Sequence, residues 1–298
     1  MDLSGVYAAL TTQFAADGSV SLADLKYNIG RYNRTRLAGY VVLGSTGESV
    51  LLSGAEMDCI LVAAKEAAGK DKRLIAGTGA ESTAETIERT KRAAELGYEF
   101  ALVKTPYYYK PVYKPEVFVA HYRRVADASP IPILLYSVPQ FTGVALEAPE
   151  VAAMAEHPNV IGMKESSGNV QRITEIISAT PRTFQMLVGS APTLLASLAV
   201  GARGAILALA SALPERCVAL YDLVREGRLD EARELQETLM RASKRILSEA
   251  GIAGVKFVMD QRGYRGGLPR LPLLPVSDLA QQRILEVLAS LELATARA

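Results

Sequence analysis

Short apolar runs alternate with longer amphipathic stretches along the chain. The apolar runs, many of them rich in β-branched residues, predict strands at residues 6–10, 40–43, 73–76, 100–103, 133–136, 160–163, 184–188 and 204–207. Between them, apolar residues recur at three- and four-residue spacing and predict helices, as over 55–68, 83–96 and 115–126. Eight strands alternating with helices favour an α/β protein with a closed (β/α)8 TIM barrel. The competing architecture is an open doubly wound sheet, which usually has fewer strands and a glycine-rich dinucleotide turn.

The pattern changes after the eighth apolar run. Residues 214–244 read as helix with a break near Gly227, and residues 277–293 read as a further helix with Ser277 or Asp278 as its N-cap. The stretch between them, 263–275, is rich in glycine and proline and predicts no strand. We therefore predict a catalytic barrel domain over residues 1–224 and a C-terminal helical extension over residues 225–298.

Composition narrows the class of protein. The chain has 298 residues, of which 49% are hydrophobic and 22% charged, a balance that can bury a sizeable core. The net charge of +1 indicates neither a nucleic-acid partner nor an anionic membrane partner. The beginning of the chain lacks the basic and long apolar regions of a signal peptide. The longest nearly apolar stretch, 204–213, is far shorter than the roughly 20 residues that span a bilayer. We expect a cytoplasmic protein.

Cysteine and histidine are scarce. Cys59 and Cys217 both fall in helix-like segments and do not suggest a disulfide framework. Neither His121 nor His157 has the HxH or HExxH spacing of a metal site. The expected mechanism therefore uses no metal and no other cofactor, and a histidine-based nucleophile triad is disfavoured.

Catalytic groups of such barrels lie where the strands end at their carboxyl side. Here these positions carry hydroxyls, glycines and one amine, in the segments 11–12, 44–48, 77–79, 105–109, 136, 164–166 and 189–190. Dinucleotide binding is disfavoured, because "GTGAES" at 77–82 matches GxGxxG only in part.

The amine belongs to Lys164, which directly follows the apolar run 160–163. If Lys164 faces the barrel interior, Ser166 does so as well. Desolvation favours the neutral form of a lysine amine, and a neutral amine attacks a ketone to give a Schiff base. The alternative is that Lys164 extends into solvent at the strand end. Lys104, which also follows an apolar run, and Lys256, on a predicted helix of the extension, are rival amines.

Two further features fit imine chemistry. Tyr136 ends the fifth predicted strand and could shuttle protons, although a tyrosine there could also simply cap the core. The loop 44–48 precedes a helix, so its backbone N–H groups could bind a carboxylate. It lacks the GK[ST] ending of a P-loop, and a generic turn is the alternative.

Together these pieces resemble the dihydrodipicolinate synthase / N-acetylneuraminate lyase family of Schiff-base (class I) aldolases. The resemblance runs from about Leu10 through the helical extension. The matching stretches are "GSTGES" (44–49), "GTGAES" (77–82), "KTPYYYKP" (104–111), "YSVPQFTG" (136–143), "GMKESSG" (162–168) and "GARGAIL" (201–207).

The resemblance implies roles for four catalytic residues and a quaternary structure. Lys164 would form the imine with pyruvate or another 2-oxo acid, and Tyr136 would be the general acid and base. Ser45 would relay protons to Tyr136. Tyr108 would extend across a dimer interface into the active site of a neighbouring subunit. Such enzymes are usually homotetramers built from two tight dimers.

Four more residues match substrate-binding positions of the family. Thr46 and the adjacent backbone at Gly47 would hold the carboxylate of the 2-oxo acid, and Ile206 would line its methyl side. In 4-hydroxy-2-oxoglutarate aldolases, the residue matching Ser166 helps to bind the distal carboxylate. Lys104 stands where relatives commonly have an apolar residue.

Departures from the family pattern bear on the second substrate. Dihydrodipicolinate synthases carry an arginine two residues after the proline of "YSVPQFTG", where this chain has Phe141. Losing that charge-assisted pair would cost about 2 to 3 kcal/mol. The chain most resembles 4-hydroxy-2-oxoglutarate aldolases of the mitochondrial type, through "ESTAET" (81–86), "ADASPIPILLYSVPQFTG" (126–143), "HPNVIGMK" (157–164) and "GVKFVMDQRGYRGG" (254–267). One mismatch is Thr46, because those aldolases read "GSNGE" in this loop.

We therefore expect reversible cleavage of 4-hydroxy-2-oxoglutarate to pyruvate and glyoxylate. The alternative is dihydrodipicolinate synthase activity, which condenses pyruvate with aspartate semialdehyde. A non-catalytic sensor of 2-oxo acids is a third possibility, but a sensor needs neither the amine nor the proton relay.

Overall fold

Eight parallel strands close into a barrel in which the last strand pairs with the first. The computed structural model describes residues 1–295. The strands are β1 (Gly5–Ala9), β2 (Gly39–Val42), β3 (Arg73–Gly77), β4 (Phe100–Lys104), β5 (Ile133–Ser137), β6 (Val160–Glu165), β7 (Gln185–Val188) and β8 (Gly204–Leu207). Each predicted strand is present, and the predicted TIM barrel is confirmed.

Helices follow the strands around the outside of the barrel. Those of the barrel are α1 (Leu22–Tyr32), α2 (Gly54–Ala67), α3 (Thr83–Glu95), α4 (Pro115–Ala128), the short α5 (Pro139–Thr142), α6 (Ala148–Ala155), α7 (Val170–Ala179), α8 (Leu194–Ala199), the short α9 (Leu209–Ala212) and α10 (Pro214–Arg225). Side-chain hydrogen bonds cap the N-termini of helices α2 and α3. Ser53 and Glu56 form a capping box at α2, and Ser82 caps α3 by accepting from the Glu85 N–H at 3.1 Å. The helices predicted over 55–68, 83–96 and 115–126 are confirmed within two residues at each end.

Further helices complete the chain, namely α11 (Leu229–Ser243), a π-helical turn (Lys244–Ser248), α12 (Gly251–Gln261) and α13 (Asp278–Thr295). The predicted break is at Gly227, whose φ of +76° is left-handed and separates α10 from α11. Ser277 caps α13 through its Oγ, which accepts from the Ala280 N–H. The described residues 263–275 form no strand, as predicted. The boundary between residues 224 and 225 stays a prediction, and residues 296–298 of the predicted extension lie outside the described residues.

Two layers of apolar side chains alternate along the strands. Inward-facing residues such as Tyr7, Phe100 and Leu134 fill the barrel, whereas residues such as Val103 and Met163 pack against the helices. Cys59, on α2, and the buried Cys217, on α10, are free thiols, as expected from their predicted helices. Among the helices of residues 1–295, none is both long and apolar enough to cross a bilayer.

Candidate active site

Register between neighbouring strands lines up three polar residues at the carboxyl ends of β4, β5 and β6. Lys104 pairs with Tyr136, and Tyr136 pairs with Lys164. Paired residues of parallel strands point to the same face of the sheet, which here is the inner face, and the three residues lie at the carboxyl end of the barrel. Lys164 is only 4% exposed, and its Nζ lies 4.3 Å from the centroid of the Tyr136 ring. The side chain of Lys164 is therefore held beside the phenol and does not extend into bulk solvent.

A cavity of about 430 Å³ opens at this end of the barrel. Its barrel side is lined by residues that include Ser45, Thr46, Tyr136, Phe141, Lys164 and Ser166. Its opposite wall comes from α11, the π-helical turn and α12, through Ser243, Leu247, Ser248, Gly251 and Ile252. The helices beyond the barrel thus enclose the cavity, which brings together five of the eight predicted site residues.

Tyr136 and Ser45 are joined by a hydrogen bond. The Tyr136 hydroxyl lies 3.3 Å from Ser45 Oγ, and either group can donate. Ser45 is brought there because Leu43, directly after β2, has a left-handed φ of +61° and turns the chain into a short 3₁₀ turn, Ser45–Gly47. This contact gives a phenol that is 4% exposed a path for protons through a second hydroxyl.

Thr46 and Gly47 differ in what they offer a ligand. Thr46 lines the cavity, and together with Ser45 it supplies the first N–H groups of the 3₁₀ turn, which have no partner inside the turn. The Gly47 N–H instead donates to the Gly44 carbonyl at 3.0 Å, and the Gly47 carbonyl accepts from Thr12 Oγ1 at 2.6 Å. The structure thus places Thr46, but not Gly47, at the cavity wall.

Ser166 lines the cavity and has a buried side-chain hydroxyl. The residue is 6% exposed, and its Oγ has no hydrogen-bond partner among the described residues. A Cβ at position 189 would lie 1.8 Å from this oxygen, so glycine is required there to make room for it. A buried hydroxyl without a hydrogen-bond partner is energetically costly.

Ile206 and Tyr108 lie away from the cavity lining. Ile206 is fully buried in the inner barrel cluster, and Ala208, two residues later, lines the cavity instead. Tyr108 is 72% exposed, with its backbone N–H donating to Glu81 Oε2 at 2.9 Å. A direct role of Ile206 and a role of Tyr108 in a neighbouring subunit both stay predictions.

Lys256, one of the rival amines, has a different setting. It lies on α12, is fully buried, and its Nζ forms an ion pair with Glu48 Oε1 at 2.6 Å. It also donates to the Leu268 carbonyl at 2.9 Å. Burial lowers the pKa of the Lys256 amine, and the Glu48 carboxylate opposes that shift. Lys256 does not line the 430 Å³ cavity, which argues against its being the imine-forming amine.

Glu48 is a residue whose role the sequence analysis missed. It has a left-handed φ of +55° directly after the 3₁₀ turn that carries Ser45 and Thr46, and its Oε2 accepts from the Arg270 N–H at 2.8 Å. Its ion pair with Lys256 therefore ties this turn to α12 and to the segment 263–275. A lysine within the apolar stretch "GVKFVMD" was the available signal, because a buried ammonium needs an anionic partner.

We expect Lys256→Met to lower the free energy of unfolding by about 3 to 5 kcal/mol, because it leaves the Glu48 carboxylate buried without its cation. Urea unfolding measures the change. The matched control is Lys26→Met, which breaks an exposed pair with Glu66 and should cost at most about 1 kcal/mol. Equal effects of the two substitutions would show that the buried pair does not hold the turn in place.

Comparisons with known proteins identify the family of the chain. The model of the dihydrodipicolinate synthetase family matches residues 2–291. A protein of Exiguobacterium sp. named 4-hydroxy-tetrahydrodipicolinate synthase is 38% identical over 285 residues, which cover 96% of this chain and 97% of that protein.

Two further relatives show the range of the family. An Emericella nidulans protein named "Probable 4-hydroxy-2-oxoglutarate aldolase, mitochondrial" is 35% identical, over 92% of this chain and 90% of that protein. The solved 4-hydroxy-tetrahydrodipicolinate synthase of Methylacidiphilum fumariolicum SolV superposes with a TM-score of 0.94 at 30% identity, covering 99% of this chain and 98% of the other. The chain therefore belongs to the dihydrodipicolinate synthetase family, whose members are aldolase-type lyases and synthases.

Proposed function

We propose that the protein makes or breaks a carbon–carbon bond at the methyl carbon of pyruvate through an imine on Lys164. The observation that carries this proposal is the buried amine beside the Tyr136 ring, in a cavity where the Tyr136 hydroxyl contacts Ser45. Amine, proton carrier and relay are the parts that imine chemistry needs.

The steps follow from these positions. The neutral Lys164 amine attacks the keto carbon of pyruvate, and the resulting carbinolamine loses its hydroxyl as water when Tyr136 supplies a proton. The protonated imine withdraws electrons, so Tyr136, which has just given up its proton, can take a proton from the methyl carbon and leave an enamine. The enamine attacks the aldehyde carbon in the condensation direction, and Tyr136 protonates the new alkoxide. In the cleavage direction Tyr136 removes that proton, and water finally releases the product from Lys164.

The 2-oxo acid's carboxylate would be bound at the turn that carries Thr46. The first N–H groups of this turn and the Thr46 hydroxyl are suited to an anion. The Glu48–Lys256 ion pair would hold the turn in position for this contact without touching the substrate.

The identity of the aldehyde separates two candidate activities. The matching family model, the Exiguobacterium relative and the Methylacidiphilum structure all bear the synthase name. On this basis we place the condensation of pyruvate with aspartate semialdehyde first, which reverses the order expected from the sequence motifs.

A specific observation favours the second candidate, cleavage of 4-hydroxy-2-oxoglutarate. Phe141 lines the cavity at the position where the family's synthases have an arginine, and an aromatic ring cannot pair with a carboxylate. The relative from Emericella nidulans bears the aldolase name.

A substrate panel on the purified protein tests the proposal. We expect kcat/KM for condensation of pyruvate with aspartate semialdehyde to exceed that for pyruvate release from 4-hydroxy-2-oxoglutarate. The opposite ranking would make the aldolase activity the main one. Pyruvate binding without turnover of either substrate would contradict both and identify a sensor.

We further propose a cytoplasmic homotetramer in which Tyr108 completes the site of a neighbouring subunit. The exposure of the Tyr108 ring supports this arrangement.

We expect Lys164→Ala and Tyr108→Phe subunits, each of low activity, to regain about a quarter of the native activity when assembled together. Half of the dimers would be mixed, and each mixed dimer would contain one complete site. Co-purification with two affinity tags provides the mixed assemblies, and an activity no higher than the average of the parents would contradict sharing.

A further inference from the structure

Lys104 is a charged residue at the barrel mouth to which the proposed reaction assigns no role. It ends β4 directly beside Tyr136, so the order across the three strands is Lys104, Tyr136, Lys164. Since neighbouring strands lie about 4.8 Å apart, the backbones of Lys104 and Lys164 are roughly 10 Å apart. A small aldehyde bonded to the enamine on Lys164 could thus extend past Tyr136 toward Lys104.

The contacts of the Lys104 amine leave it able to bind a ligand. Its Nζ lies 3.7 Å from Glu81 Oε1 and 4.9 Å from the centroid of the Tyr107 ring. The ion-pair distance exceeds that of a hydrogen bond, and an ammonium has three donors. Glu81 has another task, because its Oε2 accepts the backbone N–H groups of Tyr107 and Tyr108 at 3.0 and 2.9 Å. Burial lowers the pKa of the Lys104 amine, and Glu81 opposes that shift.

A side cavity of about 220 Å³, lined in part by Lys104, adjoins the main site. Its lining shares Ser45, Val138, Phe141 and Ile252 with the 430 Å³ cavity. Lys104 and Glu48 are the charged residues among the described lining of the side cavity, and Glu48 is already paired with Lys256. The positive charge available to an anion that enters past Phe141 is therefore that of Lys104.

We propose that Lys104 binds the carboxylate of the aldehyde substrate and supplies the charge that Phe141 does not. This inference rests on the proposed function, and it applies to both candidate activities, since aspartate semialdehyde and glyoxylate each carry a carboxylate. Lys104 is then a specificity-determining residue on the far side of Tyr136 from the imine.

The test compares one aldehyde that has a carboxylate with one that lacks it. Condensation with pyruvate is measured for glyoxylate and for acetaldehyde, and the ratio of the two kcat/KM values is determined. We expect Lys104→Met to lower this ratio at least about tenfold, because a charge-assisted contact is lost. Adding Phe141→Arg to Lys104→Met should restore much of the ratio. The matched control is Lys110→Met, which removes an exposed charge from the segment between β4 and α4 and should keep the native ratio.

An unchanged ratio in Lys104→Met would overturn the inference. If both aldehydes then lost activity by the same factor, Lys104 would act on the reaction or the fold rather than on the carboxylate. If the ratio fell in Ser166→Ala instead, the carboxylate would be bound at Ser166. Borohydride trapping with pyruvate alone keeps the proposals apart, since failure to label Lys164 in the native protein would refute the proposed function itself.

Discussion

Replacing Lys164 with alanine should reduce turnover of pyruvate-derived substrates by at least about 10⁴-fold, because the substitution removes the amine that forms the covalent intermediate. The buried position of the amine in the cavity is the structural reason. The measurement is a single-turnover assay of pyruvate release or consumption at high enzyme concentration.

The control for this substitution is Lys110→Ala, which removes an exposed amine and should leave turnover within about twofold of native, as expected for a surface site. Circular dichroism establishes that Lys164→Ala remains folded. Turnover above about one-hundredth of the native rate in a folded Lys164→Ala protein would mean that another amine forms the imine.

Replacing Tyr136 with phenylalanine should lower kcat by about 10² to 10⁴-fold, the usual effect of removing a general acid or base. The ring would still pack beside Lys164, so only the hydroxyl and its contact with Ser45 are lost. Because proton transfer rather than binding is affected, KM for pyruvate should change much less than kcat. Ser45→Ala should cause a smaller loss, since Tyr136 keeps its own proton.

Tyr98→Phe provides the matched control for Tyr136→Phe. The Tyr98 hydroxyl is also buried and donates to the Leu61 carbonyl at 2.9 Å, but it lies outside the cavity lining. We expect Tyr98→Phe to reduce stability and to leave kcat close to native. If the two phenylalanine variants had the same kcat, the Tyr136 hydroxyl would have no part in proton transfer.

Local sequence patterns predicted the barrel, because short apolar runs mark the strands and apolar residues at three- and four-residue spacing mark the helices. Short apolar runs located all eight strands, and Gly227 located the break between α10 and α11. The alternation of side chains along a strand assigned Lys164 and Ser166 to the same face, and the structure shows that both line the cavity. These features depend on residues close together in the chain, so they can be read without knowing the fold.

Contacts between distant segments could not be read in this way. Ser45 and Tyr136 are 91 residues apart, and their hydrogen bond depends on the closure of the barrel and on the left-handed Leu43. The pairing of Glu48 with Lys256 requires α12 to pack on the barrel mouth. Lys104 was placed just beyond its strand, so its alignment with Tyr136 became visible only from the strand register.

The central claim is that the Lys164 amine bonds covalently to the keto carbon of pyruvate. Borohydride reduction in the presence of pyruvate, followed by peptide mass spectrometry, tests it most directly. The account predicts one stable adduct, with the mass of a reduced pyruvyl group, on the peptide that contains Lys164. An unmodified Lys164, or an adduct only on Lys104 or Lys256, would contradict it.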